Sequence, residues 1–93
     1  MPSLRFEWNA AKAKANAAKH GVTFEEAQAV FSDENAKLIA DPDHSDEEDR
    51  FILLGLSASL RILVVCHCYR APGDVIRIIS ARKATRQEAR AYP

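Results

Sequence analysis

The sequence predicts an α+β domain: an antiparallel sheet of about four strands, two N-terminal helices on one of its faces, and a short C-terminal helix. Three observations carry this. The first third holds two helix-start signals and a glycine stop, the second half holds three apolar stretches separated by turn residues, and the last ten residues open with a further helix start. Strands joined by short turns make an antiparallel sheet, and helices gathered at one end of the chain can cover one face of it.

Taken in order, Leu4 to Trp8 alternates apolar and charged residues and suits a short edge strand. NAAKAKANAAKH is rich in Ala and Lys, with Asn9 as its N-cap, Gly21 as its stop, and Lys19 and His20 placed to suit the helix dipole. Thr23 and Glu26 form a capping box for a second helix, with Val22, Ala27, Val30 and Phe31 as its apolar stripe and Asp33-Glu34-Asn35 as its close. A short strand is expected over 36–40, then an acidic loop over 41–49, then strands near 50–57, 60–70 and 74–81. Ser57-Ala58-Ser59 and Ala71-Pro72-Gly73 supply the two turns. Thr85 and Glu88 form the last capping box, leading toward Tyr92, where a frayed terminus is expected in preference to a role as acid or stacking platform.

At 93 residues, 47% hydrophobic and 28% charged, the chain reads as one globular domain spanning 1–93. The longest apolar run, around Ile62 to Cys66, is far short of a membrane span, and the N-terminus lacks the features of a signal peptide. Cys66 and Cys68, two apart on one strand, are poorly placed to pair with each other, so a reduced pair in the cytoplasm is expected. Net charge is zero but uneven: residues 41–49 hold six acids and no Lys or Arg, whereas 51–93 hold seven Lys or Arg against two acids. Such a basic portion can attract phosphates.

Strand alternation gives 60–69 two faces. Ile62, Val64, Cys66 and Cys68 form an apolar one expected to meet the helices, and Arg61, Leu63, Val65, His67 and Tyr69 form the open one. A two-residue turn at Ala58-Ser59 would set Arg50 opposite His67. A three-residue turn at 71–73 would set Arg70 opposite Asp74 and Arg77 opposite His67, with Ile76 and Ile78 beside Phe51 and Leu53 on the cysteine face. A four-residue turn would instead direct Arg77 toward the cysteines. In the preferred register Arg50, His67 and Arg77 form one row, a cationic cluster that makes chemical sense around a phosphate. The bland reading has Arg50 paired with the neighbouring acids and Arg77 solvated.

The segments FEWNAAKAKANAAKHGVTFEEAQAVF, DRFILLGLS, LRILVVCHCY and VIRIISARKATRQEARAY, in this order and spacing, resemble the BrnT-type toxins of bacterial type II toxin–antitoxin systems. Asn9 stands where that family often has Asp, an exchange between two good helix caps. The resemblance implies a fold like that of RelE-type ribonucleases and cleavage of RNA that arrests translation. It also implies neutralisation by an antitoxin with a ribbon-helix-helix domain, through which alone the chain would meet operator DNA.

Metal-free RNA cleavage requires a proton taken from the 2′-OH, stabilisation of the phosphorane charge, and a proton given to the leaving 5′-oxygen. Arginines suit the second task and histidine the proton transfers. The expected catalytic set is therefore Arg50, His67, Arg77 and Arg82, and the expected RNA-binding set is Arg61, Tyr69, Lys83 and Arg86. No cofactor or metal is expected: Cys66 and Cys68 face away from His67, and the acidic stretch lacks the Gly and Glu of a calcium loop. The rival from another class is a non-catalytic binding module working with a DNA-binding partner.

Overall fold

The computed structural model describes residues 4–40, 50–70 and 75–93. The acidic stretch 41–49, the expected turn at 71–73 and Asp74 lie outside them. Strand β1 (Arg5–Glu7) leads into helix α1 (Ala10–His20), then α2 (Phe24–Gln28) and a 3₁₀ turn over Ala29–Ser32. Strands β2 (Lys37–Ala40), β3 (Phe51–Leu56), β4 (Ile62–Arg70) and β5 (Val75–Lys83) follow, and α3 (Arg86–Ala89) closes the chain.

The helix ends are set by local chemistry. The Asn9 side chain accepts from Lys12 N, and Gly21 takes the left-handed conformation at φ 67° that ends α1. Thr23 caps α2 by accepting from Glu26 N. The expected box is only half made, because the Glu26 carboxylate is taken by Ser57 and Arg61. At α3 both halves of the Thr85–Glu88 box form.

The α+β expectation holds, but the sheet is five-stranded and mixed, in the order β1-β5-β4-β3-β2. Strands β2 to β5 are antiparallel, and β1 adds parallel to β5, with Glu7 beside Arg77. The α1–α2 segment carries the chain back across the sheet, so β1 meets its neighbour by a long crossover rather than a hairpin.

The expected register of the β3–β4 hairpin is off by one residue. Phe51, not Arg50, pairs with His67, and Leu53 pairs with Val65. The cause is Leu60. The loop has three residues, with Ser57 N donating to Arg61 O at 2.8 Å, and its third residue, Leu60, sits at φ 62°. That position usually takes glycine, so the sequence carried no sign of it. A one-residue slip exchanges the faces of a strand. The helices therefore cover Leu53, Leu63, Val65, Ile78 and Ala81, which join Val22, Phe24, Ala27 and Val30 in the core. The cysteine side is the face turned away from α1 and α2. Leu60 is 77% exposed, so its side chain gives little back for the strained backbone. Leu60→Gly is expected to raise stability by about 0.5–1 kcal/mol, measured by urea denaturation; a loss would show that the leucine packs in solution.

Two further contacts hold the layers together. Beyond Arg77 the outer edge of β5 has lost β1, and Asn16 of α1 takes its place. Its side chain accepts from Ala81 N at 3.1 Å and donates to Ala81 O at 2.8 Å and Val22 O at 3.0 Å. Gly55 of β3 admits the 3₁₀ turn closely: a Cβ there would stand 2.8 Å from Val30 Cγ1 and 2.9 Å from Ala36 Cβ.

The C-terminus is tied down where fraying was expected. The Tyr92 hydroxyl donates to Asp33 Oδ2 at 2.6 Å, and the same carboxylate accepts from Leu56 N and Asn35 N. These bonds, the tyrosine's first, hold the Asp33 carboxyl below its ordinary range, and the same carboxylate raises the Tyr92 phenol.

Candidate functional site

The face turned away from α1 and α2 gathers the arginines. In β5, Arg77 pairs with Cys68 and Arg82 pairs with Val64, both on that side of β4. Five residues apart, they would point to opposite faces of a regular strand. A bulge reconciles them: Cys66 pairs with Ser80 but His67 with Ile78, leaving Ile79 as an extra residue in β5. Continuing the β3 register one step back sets Arg50 across from Cys68. Glu7, Arg77 and Cys68 thus form one row across three strands, and Arg50, one residue before β3, continues it. At normal strand spacing Arg77 and Arg50 stand about 10 Å apart at Cα, with the small Cys68 between them, while Arg82 lies about 13 Å along the sheet.

Each of the two β5 arginines has a carboxylate partner. Arg77 Nη1 donates to Glu7 Oε2 at 2.8 Å, and Arg70 Nε lies 3.8 Å from the same oxygen. Arg82 makes a two-pronged contact with Glu88, Nη1 to Oε1 and Nη2 to Oε2, both 2.8 Å. Glu88 Oε1 also accepts from Thr85 N at 2.8 Å. The Arg82 contact above all, helped by that backbone bond, pulls the Glu88 carboxyl down to about 2. The pair also fixes α3 over the outer face, where Ala91 and Glu88 line a small apolar hollow with Ile39, Ile52, Leu54 and Val64. Arg50 is half-buried, with its Nε out of solvent.

His67 is not in the arginine row. It is fully buried on the helix face, its ring 4.8 Å edge-on from Phe31 and flanked by Phe51 and Tyr69. Nδ1 lies 3.2 Å from Val65 O and Nε2 lies 3.3 Å from the Tyr69 hydroxyl. A carbonyl only accepts, so Nδ1 carries the proton and Nε2 receives the Tyr69 O–H. Burial lowers the histidine's pKa, partly offset by the Val65 carbonyl, and so favours the neutral ring. The placement of His67 between Arg50 and Arg77 is therefore corrected, for the same register slip that inverted the hairpin. The expected Arg70–Asp74 pairing is corrected too, since Arg70 pairs with Val75. The connection is one residue longer than expected, which turns Arg77 to the cysteine side.

The four residues expected to contact RNA are scattered. Arg61 ties β4 to the helices, donating through Nε to Glu26 Oε2 at 3.0 Å and through Nη2 to Gly21 O at 3.0 Å. Tyr69 is 46% exposed on the His67 side, and burial of the rest of its ring raises its phenol. Lys83 is exposed beside Leu60, Arg61 and Ile62, and Arg86 is exposed at the start of α3. Sequence reasoning missed Glu7 at the site. The parallel pairing of β1 beside β5 is a long-range event that leaves no local mark.

A sheet with one face packed by α1 and α2 and the other gathering Arg70, Arg77 and Arg82 with their carboxylate partners defines a small α+β protein with a cationic sheet face. The family model described as the ribonuclease toxin BrnT of type II toxin–antitoxin systems matches residues 8–88. The chain belongs to this family and is a ribonuclease toxin of that class. In fold it is similar to the Brucella abortus ribonuclease toxin BrnT, known from a crystal structure, with a TM-score of 0.67 at 24% identity, covering 90% of this chain and 100% of that one. No curated protein sequence matches the chain.

Proposed function

We propose that the chain cleaves RNA without a metal, in a RelE-like manner, and thereby arrests translation in the cytoplasm. In this reading a ribbon-helix-helix antitoxin neutralises it. The observation that supports the reading is the gathering of Arg50, Arg77 and Arg82 on one sheet face, Arg50 by the β3–β4 register and Arg82 by the bulge at Ile79. Arg77 and Arg50 flank the scissile phosphate and meet the charge that grows on its oxygens as the 2′-oxygen attacks. Preorganised donors aimed at such charge often lower the barrier more than any other catalytic effect. Arg82 lies far enough along the sheet to hold a different phosphate of the same strand.

Glu7 and Glu88 occupy Arg77 and Arg82 when no RNA is present. Exchange of a carboxylate for a phosphate costs little on a half-exposed face, because exposed pairs contribute only about 0–1 kcal/mol. Lys83 and Arg86 add attraction for the backbone. Arg61, held by Glu26, serves the scaffold, and Tyr69, bonded to His67 on the opposite side of the sheet, lies away from the arginine row.

The test is inducible expression in bacteria without antitoxin, wild type against Arg77→Ala, following growth and RNA integrity. Wild type is expected to stop growth with RNA decay, and Arg77→Ala to lose cleavage by about 10²–10³-fold while still binding antitoxin. A folded wild type that leaves RNA intact would replace this reading with the binding module.

A further inference from the structure

Cleavage by 2′-OH attack needs a base, and the histidine expected to serve is sealed on the other face of the sheet. Among the described residues, the carboxylates in contact with the outer-face arginines are Glu7 and Glu88. Glu88 is committed three ways: both oxygens are bonded to Arg82, and one also accepts from Thr85 N. Its loss of basicity follows from those bonds. Glu7 differs. Both of its contacts with arginine fall on Oε2, one at 2.8 Å and one at 3.8 Å, and its side chain is 41% exposed. It stands next to Arg77 in the row that ends at Arg50.

We propose that Glu7 is the general base of the cleavage reaction, a role that rests on the ribonuclease reading above. A phosphate between Arg77 and Arg50 brings the adjoining ribose over Arg77's neighbours, of which Glu7 is the one on β1. The Glu7 carboxylate takes the proton of the 2′-hydroxyl as the 2′-oxygen forms its bond to phosphorus. The bond from phosphorus to the 5′-oxygen breaks, and that oxygen takes a proton from water. The products are a 2′,3′-cyclic phosphate and a 5′-hydroxyl, and Glu7 returns its proton to solvent. Arg77 has a double part: it positions the carboxylate in the free protein and turns to the phosphate when RNA arrives.

The experiment compares purified wild type, Glu7→Gln and Glu7→Asp on RNA, free and on ribosomes, across a pH series, with thermal unfolding of each variant recorded alongside. The wild-type rate is expected to climb from acidic pH to a plateau. Glu7→Gln, which keeps the shape and an acceptor for Arg77, is expected to lose about 100-fold or more at the plateau together with that acidic limb. Glu7→Asp, with its carboxylate retained, is expected to keep the limb at a reduced rate. Glu7→Gln cleaving as fast as wild type, or cleaving slowly with the limb intact, would overturn the assignment and leave Glu7 as a restraint on Arg77. A wild type inert on both substrates would overturn the ribonuclease reading itself, and the assignment with it.

Discussion

Asn16→Leu is expected to cost about 3 kcal/mol or more of folding stability, because it strips partners from three buried backbone groups at once. Leucine has the branching of asparagine and the same number of side-chain heavy atoms, so no cavity is opened and the lost hydrogen bonds dominate. Ala81 N and O lie on the edge of β5 where β1 has already ended, and Val22 O lies at the turn between α1 and α2. The asparagine amide offers Ala81 one acceptor and one donor, as a neighbouring strand would, and its second N–H goes to Val22 O. A domain of this kind holds roughly 5–15 kcal/mol in total, so the variant should melt some 10–25 °C lower. Urea and thermal denaturation would show it. A change under about 1 kcal/mol would mean that water reaches Ala81 once the amide is gone.

Arg82→Lys should leave the fold nearly untouched and, by loosening the hold on a neighbouring phosphate, cut RNA cleavage about 10²-fold. The charge is retained, but a lysine ammonium cannot make the two parallel bonds that a guanidinium offers to Glu88 or to a phosphate. Side chains on both sides of the pair are 36–40% exposed, so its contribution to stability is under about 1 kcal/mol. The two readouts should therefore separate: a melting temperature within a few degrees of wild type, and a cleavage rate far below it. Unchanged cleavage would restrict Arg82 to holding α3 in place.

Much of the fold was legible because it is set locally. Asn9, Gly21, Thr23 and Thr85 mark helix ends through bonds spanning a single turn, and all four act where the sequence put them. The strands fell near their expected bounds because apolar runs between turn residues are also local features. The candidate site was legible in kind but not in geometry. Arg50, Arg77 and Arg82 do share a face, yet they reach it through the Arg70–Val75 pairing that turns Arg77 over and through two further departures that alternation does not foresee. One is a leucine in a glycine's conformation at position 60, which shifts the β3–β4 register. The other is the bulge at Ile79, which turns Arg82 to the side of Arg77.

The sequence by itself determined the element order, the caps, the arginine-rich second half and, through motif resemblance, the family. These rest on residues close together in the chain, where propensity and hydrogen-bond chemistry act directly. Only the tertiary structure decided which sheet face meets the helices, and so placed His67 in the core and Glu7 at the site. A strand's side-chain period is two, so a single-residue shift in one loop exchanges both faces. Long-range packing, here of Val22, Phe24, Ala27 and Val30 onto Leu53, Leu63 and Val65, selects between the alternatives.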